Sequence, residues 1–164
     1  MNSPVTRPTP PERPYPEAFE ATLIDIFENQ IVFNQVLGLK IVAARPGDIR
    51  GRFAMRDDLI GTRAHHRLHG GVTASILDTM GGLAITVGIA SNHREDTPEQ
   101  LAQRFVRMGT IDLRVDYLRQ GIGRHFEVNA EVVRLGGRVG SAQMRMHNDE
   151  GVLIATATGA YIVS

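Results

Sequence analysis

His69-Gly70-Gly71-Val72-Thr73-Ala74-Ser75-Ile76-Leu77-Asp78 opens a run that continues to Ala90 with one charged side chain, the aspartate. Apolar or small residues occupy every side of this segment at helical spacing, and a helix that is apolar all round is a buried one. That reading decides the fold: a core helix without a polar face has to be wrapped by other elements rather than laid on a surface. Asp78 stands nine positions after the histidine, among Ile76, Leu77, Met80 and Leu83. An ionised carboxylate in such surroundings costs roughly several kcal/mol unless it is paired, hydrogen-bonded or put to use.

Outward from this helix, the remaining chain reads mostly as strands. Leu39 to Ala44 and Ile49 to Arg56 flank the turn Arg45-Pro46-Gly47-Asp48, and alternation in the second strand sets Ile49, Gly51, Phe53 and Met55 against Arg50, Arg52 and Arg56. Asp57 to Leu68 has no strand pattern and is expected to be a polar loop. Downstream, Thr110 to Leu118, Arg124 to Leu135, Arg138 to His147 and Val152 to Val163 are predicted strands separated by glycine-rich turns. Glu17 to Leu37 carries helical spacing with Gly38 as its stop, and Thr97-Pro98-Glu99-Gln100 offers a capping box for a short surface helix to about Met108. The expected fold class is α+β, a curved antiparallel sheet wrapped around a buried central helix.

Residues 1–16 hold six of the eight prolines and read as a disordered leader, leaving 17–164 for a single domain. Lys plus Arg and Asp plus Glu both total 18, which gives no reason to expect nucleic acid or an anionic membrane as partner. With no cysteine, disulfides, thiolate metal sites and a cysteine nucleophile are excluded. The N-terminus shows no signal-peptide h-region, and no apolar run of about 18 residues is expected to span a bilayer, so the chain is read as cytoplasmic.

Two kinds of chemistry are available around the central helix. Gly70 and Gly71 can present bare N–H groups at a helix N-terminus, where the dipole favours developing negative charge; they can equally serve only a tight chain approach. Asp78 lies too far into the helix to be a cap, so it is either the partner of a buried arginine or a general base or nucleophile. His65 and His69 have the spacing of a helical metal pair, but their segment is not helical and the zincin glutamate is missing, so no metal is expected. No phosphate-loop Gly-Lys-Ser/Thr follows the glycines, and Ser75 is not in a Gly-x-Ser-x-Gly elbow. Arg119, Arg134 and Arg138, near strand ends, are candidates for phosphate contact or ordinary solvated charges.

The His69-Gly70-Gly71 motif with Asp78, together with Gly109 to Arg119 as the strand after the helix, resembles the hotdog-fold acyl-CoA thioesterases. The likeness is to the His-Gly-Gly/Asp subgroup, the phenylacetate-pathway type, and covers roughly residues 30 to 163. It implies hydrolysis of an acyl-CoA to free acid and CoA, without cofactor, in a homodimer or dimer of dimers with the active site between subunits. By the same resemblance Asp78 activates water or attacks directly, the Gly71 N–H is the oxyanion donor, His69 orients, and Thr110 holds the attacking water beside the carboxylate. On propensity alone, Thr110 is equally an ordinary β-branched strand residue.

The chain departs from the pattern at Arg63, where many members carry Asn or Gln six residues before the histidine. Arg63, His66 and Gly70 are taken as substrate contacts. Ser91 to Gly109 is longer than usual and is a candidate lid or wall of the acyl pocket. Two alternatives remain open here: a hotdog hydratase or dehydratase acting on an enoyl or hydroxyacyl thioester, and a non-catalytic acyl-CoA sensor. An aromatic content of 5% favours an aliphatic acyl pocket over a stacked one.

Overall fold

The computed structural model describes residues 17–163; the leader expected over 1–16 lies outside them. In chain order come α1 (Glu17–Asp25), a π turn (Ile26–Gln30), α2 (Val32–Leu37), β1 (Lys40–Arg45), β2 (Asp48–Ala54) and a 3-10 turn (Asp57–Leu59). There follow β3 (Ile60–Thr62), β4 (Arg67–Leu68), α3 (Gly70–Asn92) and α4 (Pro98–Phe105). The chain then continues through β5 (Gly109–Tyr117), β6 (His125–Leu135), β7 (Val139–Asn148) and β8 (Leu153–Ile162).

Six strands pair antiparallel in the order β1-β2-β6-β7-β8-β5, and α3 touches every one of them. Strands lie about 4.8 Å apart and a helix is about 10 Å wide, so one helix reaches six strands only if the sheet curls around it. This is the curved sheet around a buried helix expected from the apolar run, and the hotdog architecture that the family resemblance implies.

The pleat supplies the core by burying alternate residues: Ile49, Gly51 and Phe53 on β2; Phe126, Val128 and Ala130 on β6; Ala142, Met144 and Met146 on β7. Phe53 pairs with Phe126, and their rings stack 5.2 Å apart. Against this surface α3 buries Ile76, Leu77, Met80, Leu83, Ala84 and Ile85. Gly51 is a matter of space, since a Cβ there would stand 2.7 Å from Met80 Sδ.

Three expectations are corrected. The helix expected over Glu17 to Leu37 is broken, with Ile31 extended between the π turn and α2. The wholly buried Asn34 sustains the break by donating from Nδ2 to Phe27 O at 2.9 Å; Gly38 does end α2, in the left-handed region at φ 68°. The loop expected over Asp57 to Leu68 contains the small hairpin β3–β4, whose two- and three-residue strands are too short to show alternation. Finally, Gly70–Asn92 is long and apolar enough to cross a membrane by length and composition, contrary to the expected absence of such a run. Two thirds of that window is buried inside the fold, 67%, so its hydropathy is that of a core helix.

The capping box of α4 forms as the sequence indicates, with Gln100 Oε1 accepting from Thr97 N–H at 2.8 Å and Thr97 Oγ1 accepting from Gln100 N–H at 3.3 Å. The helix ends at Phe105, short of Met108. Leu101 packs with Phe19 and Ala90, so α4 closes the C-terminal end of α3 against α1.

The two edges of the sheet differ. At β1, carboxylates from the N-terminal helical segment take up edge donors: Glu28 Oε1 accepts from Ile41 N–H at 2.6 Å and Glu20 Oε1 from Ala44 N–H at 3.1 Å. At β5 no further strand lies alongside among the described residues.

Candidate active site

The hairpin β3–β4 delivers the chain into α3, with His69 N–H donating to Leu59 O at 2.9 Å and Leu68 N–H to Gly121 O at 2.8 Å. His69 is the N-cap: its Nδ1 accepts from Gly71 N–H at 2.9 Å, and its carbonyl accepts from Val72 and Thr73 N–H at 3.0 and 3.2 Å. A ring nitrogen that accepts carries no proton, so this geometry assigns the neutral ring with its proton on Nε2. The Gly70 N–H finds no acceptor among the described residues, while Gly70 O accepts from the Tyr117 hydroxyl at 2.9 Å. His69, Gly70 and Gly71 are all exposed.

Two turns farther, Asp78 emerges on the stripe that also carries Gly71, Ala74 and Ser75. It was expected among Ile76, Leu77, Met80 and Leu83. Those four are buried, but Asp78 is only half-buried, because successive helical residues turn by about 100° and carry it off their face. Thr110 Oγ1 donates to Asp78 Oδ1 at 2.9 Å. Among the described residues no cation forms an ion pair with Asp78, so the buried-arginine reading finds no partner. Ser75 Oγ donates to Gly71 O at 2.8 Å. Next to Asp78, Thr79 Oγ1 donates to Asn34 Oδ1 at 3.1 Å, which ties α2 to this end of the helix.

Of the residues singled out from sequence, His69, Gly70, Gly71, Asp78 and Thr110 thus converge on one open face. Arg63 and His66 sit in the exposed turn between β3 and β4, where His66 adopts a φ of 43°. Arg119 lies two residues beyond Tyr117, its Nη1 donating to Leu153 O at 3.0 Å. Arg134 and Arg138 are exposed at the β6–β7 turn, where Leu135 approaches Gly88. Gly88 is ten residues past Asp78, about 15 Å along the helix. In Ser91 to Gly109, α4 packs on Phe19 and Ala90 away from the open face, and Met108 covers the buried half of α3, its Sδ accepting from Thr86 Oγ1 at 3.4 Å beside Gly82. His65 belongs to the exposed turn rather than to a helix shared with His69.

Three contributors escaped the sequence reading: Asn34, Tyr117 and Tyr161, whose hydroxyl donates to Asp78 O at 3.1 Å. Their contacts with the motif span 45, 47 and 83 residues, beyond the reach of any local pattern.

The thioesterase superfamily profile matches residues 65–155, the segment from the β3–β4 turn to β8. The chain belongs to the thioesterase superfamily. It is 37% identical over 139 residues to the medium/long-chain acyl-CoA thioesterase YigI of Escherichia coli and of Salmonella typhimurium, covering 85% of this chain and 90% of the relative. A Shewanella oneidensis protein described as related to the superfamily superposes with a TM-score of 0.85 at 38% identity, over 90% of this chain and 96% of that one. Zebra fish thioesterase superfamily member 2 shares the fold at a TM-score of 0.65 and 21% identity, over 87% and 94% of the two chains. In this superfamily member, then, the open face of α3 is where the fold and the chemistry-bearing residues meet.

Proposed function

We propose that the chain hydrolyses medium- to long-chain acyl-CoA thioesters to the free acid and CoA, as a His-Gly-Gly/Asp hotdog thioesterase. One observation carries this reading: a carboxylate with no cation partner among the described residues, oriented by Thr110, stands on an open helix face two turns from the Gly70 and Gly71 N–H groups that start the same helix. A thioester placed along that face meets both requirements of acyl transfer. Its carbonyl oxygen points at the helix N-terminus, where N–H groups and the dipole stabilise the charge that develops as the carbonyl carbon is attacked. Its carbonyl carbon faces Asp78. As a base, Asp78 takes a proton from the attacking water, the C–S bond breaks, and that proton passes to the departing CoA thiolate. As a nucleophile, it forms a mixed anhydride as the thiolate departs, and water then cleaves the anhydride, freeing the acid, restoring the carboxylate and supplying the thiolate's proton.

Gly71 is the oxyanion donor in this account, and its N–H donates to His69 Nδ1. Substrate therefore displaces the His69 ring, and the carbonyl oxygen takes over the hydrogen bond, with the Gly70 N–H beside it. His69 acts as a placeholder and orienting group rather than as the base. Arg63, His66 and Arg119 are the candidate contacts for CoA phosphates at this end of the helix. Arg134 and Arg138 lie about 15 Å farther along α3 and would serve only a CoA lying across a second chain.

The supporting comparison for acyl length is the medium/long-chain specificity named for YigI. A second copy is inferred from the open edge: among the described residues no strand pairs with the side of β5 away from β8, and its Ile111 and Tyr117 are more than half exposed, at 57% and 56%. A homodimer, or a dimer of dimers, would cover this edge and enclose the site.

The test is release of free CoA from a panel of acyl-CoAs, short to long chain and including aryl thioesters. Release that peaks at medium or long aliphatic chains supports the proposal. No release from any member by a folded chain that still binds acyl-CoA would overturn it in favour of a sensor or a hydratase.

A further inference from the structure

Tyr161 is 1% exposed, and a phenol hydroxyl so deeply placed needs a partner that a phenylalanine would not. Its partner is the main-chain carbonyl of Asp78, at 3.1 Å. The residue directly opposite Tyr161 across the β5–β8 ladder is Thr110, whose hydroxyl holds the Asp78 carboxylate at 2.9 Å. One rung of the sheet therefore grips a single helical residue twice, by its backbone from β8 and by its side chain from β5.

The helix is cut to receive the tyrosine. A Cβ on Gly81 would collide with the Tyr161 hydroxyl, and one on Gly159, two residues earlier on the same strand, would stand 2.6 Å from it. The two missing side chains let the ring lie flat between α3 and β8 with its oxygen under Asp78. Burial pushes the Tyr161 hydroxyl well above the ordinary phenol range, and the Asp78 charge pushes it further in the same direction, so it stays a donor at any working pH.

We infer that Tyr161 is a positioning residue for Asp78: its hydroxyl pins the Asp78 backbone at the rung where Thr110 orients the carboxylate, fixing where the base or nucleophile stands relative to the thioester. This rests on the reading of Asp78 as the reacting carboxylate. A tyrosine that merely fills the core makes the opposite prediction, because its ring and not its oxygen would matter.

The experiment uses the full chain and a medium-chain acyl-CoA, decanoyl-CoA, comparing wild type, Tyr161→Phe, Tyr161→Leu and Asp78→Asn for kcat, KM and thermal midpoint, with rates taken well below the lowest midpoint. Tyr161→Phe keeps the ring and is expected to lower kcat about five- to twentyfold with KM within about twofold, the pattern of a misplaced reacting group. Tyr161→Leu also loses packing and is expected to lower the midpoint as well as kcat. Wild-type kcat in Tyr161→Phe, with loss confined to Tyr161→Leu, would overturn the inference and leave a packing tyrosine. A larger KM with unchanged kcat in Tyr161→Phe would overturn it too. Asp78→Asn separates the two claims: if it remains active, the reading of Asp78 fails, whatever Tyr161→Phe does.

Discussion

The two halves of α3 are built from much the same small and apolar residues and end in different surroundings. From Met80 to Ala90 every residue except Gly88 is buried, under β6, β7, α4 and the Met108 end of the segment that follows. From Gly70 to Thr79, Gly71 is exposed and Ala74, Ser75, Asp78 and Thr79 are half-buried, because only the edge strand β5 and the short α2 flank that stripe. The lesson concerns division of labour along one helix. The sealed half anchors the rod, and the open half can then carry a carboxylate on a rigid element without burying its charge. Thr110 and Tyr161 sit where the two halves meet.

If this division is right, substitutions in the sealed half should cost stability and those in the open half should cost turnover. The largest effect is expected for Leu83→Ala, which removes a wholly buried side chain and should lower unfolding stability by about 2–5 kcal/mol in a denaturant titration, with kcat per folded molecule unchanged. A loss of kcat in the molecules that remain folded would mean the halves are not independent. Gly71→Ala should do the reverse. Its Cβ would stand 2.9 Å from His69 Nδ1, so the cap and the proposed oxyanion donor are both disturbed; turnover should fall by at least about tenfold. Stability should change by no more than about 1 kcal/mol. Steady-state kinetics beside a thermal melt would show whether the two separate. The smallest effect belongs to Ser75→Ala: its hydroxyl only returns to Gly71 O at 2.8 Å, so both stability and turnover should stay close to wild type, within about 0.5 kcal/mol and about twofold. A dead enzyme would restore a serine nucleophile to consideration.

The curved sheet around a buried helix was legible because α3 lacks a polar face, and β2, β6, β7 and β8 alternate in a way that only a one-sided sheet explains; the hotdog family was legible from the His69-Gly70-Gly71 motif with Asp78 and the strand after the helix. The site was legible as far as it is local: His69, Gly70, Gly71 and Asp78 fall within ten residues, and Thr110 opens the next long strand. What could not be read was rotation and reach. A helix with apolar residues all round gives no sign of which stripe the sheet leaves bare, so Asp78 looked buried. The broken helix before Gly38 depends on Asn34 reaching back to Phe27, and the grip of Tyr161 on Asp78 crosses 83 residues. The β3–β4 hairpin was hidden for another reason, since its strands are shorter than the period that would reveal them.

The central claim is that the half-buried carboxylate on the open half of α3 performs the chemistry. Asp78→Asn tests it most directly, because the amide oxygen can still accept from Thr110 while the charge is gone. kcat for decanoyl-CoA is to be measured beside the thermal midpoint and the Kd for a non-hydrolysable thioether analogue. The account predicts kcat at least about a hundredfold lower, with folding and analogue binding retained. A folded Asp78→Asn chain that keeps more than about a tenth of wild-type turnover would contradict it.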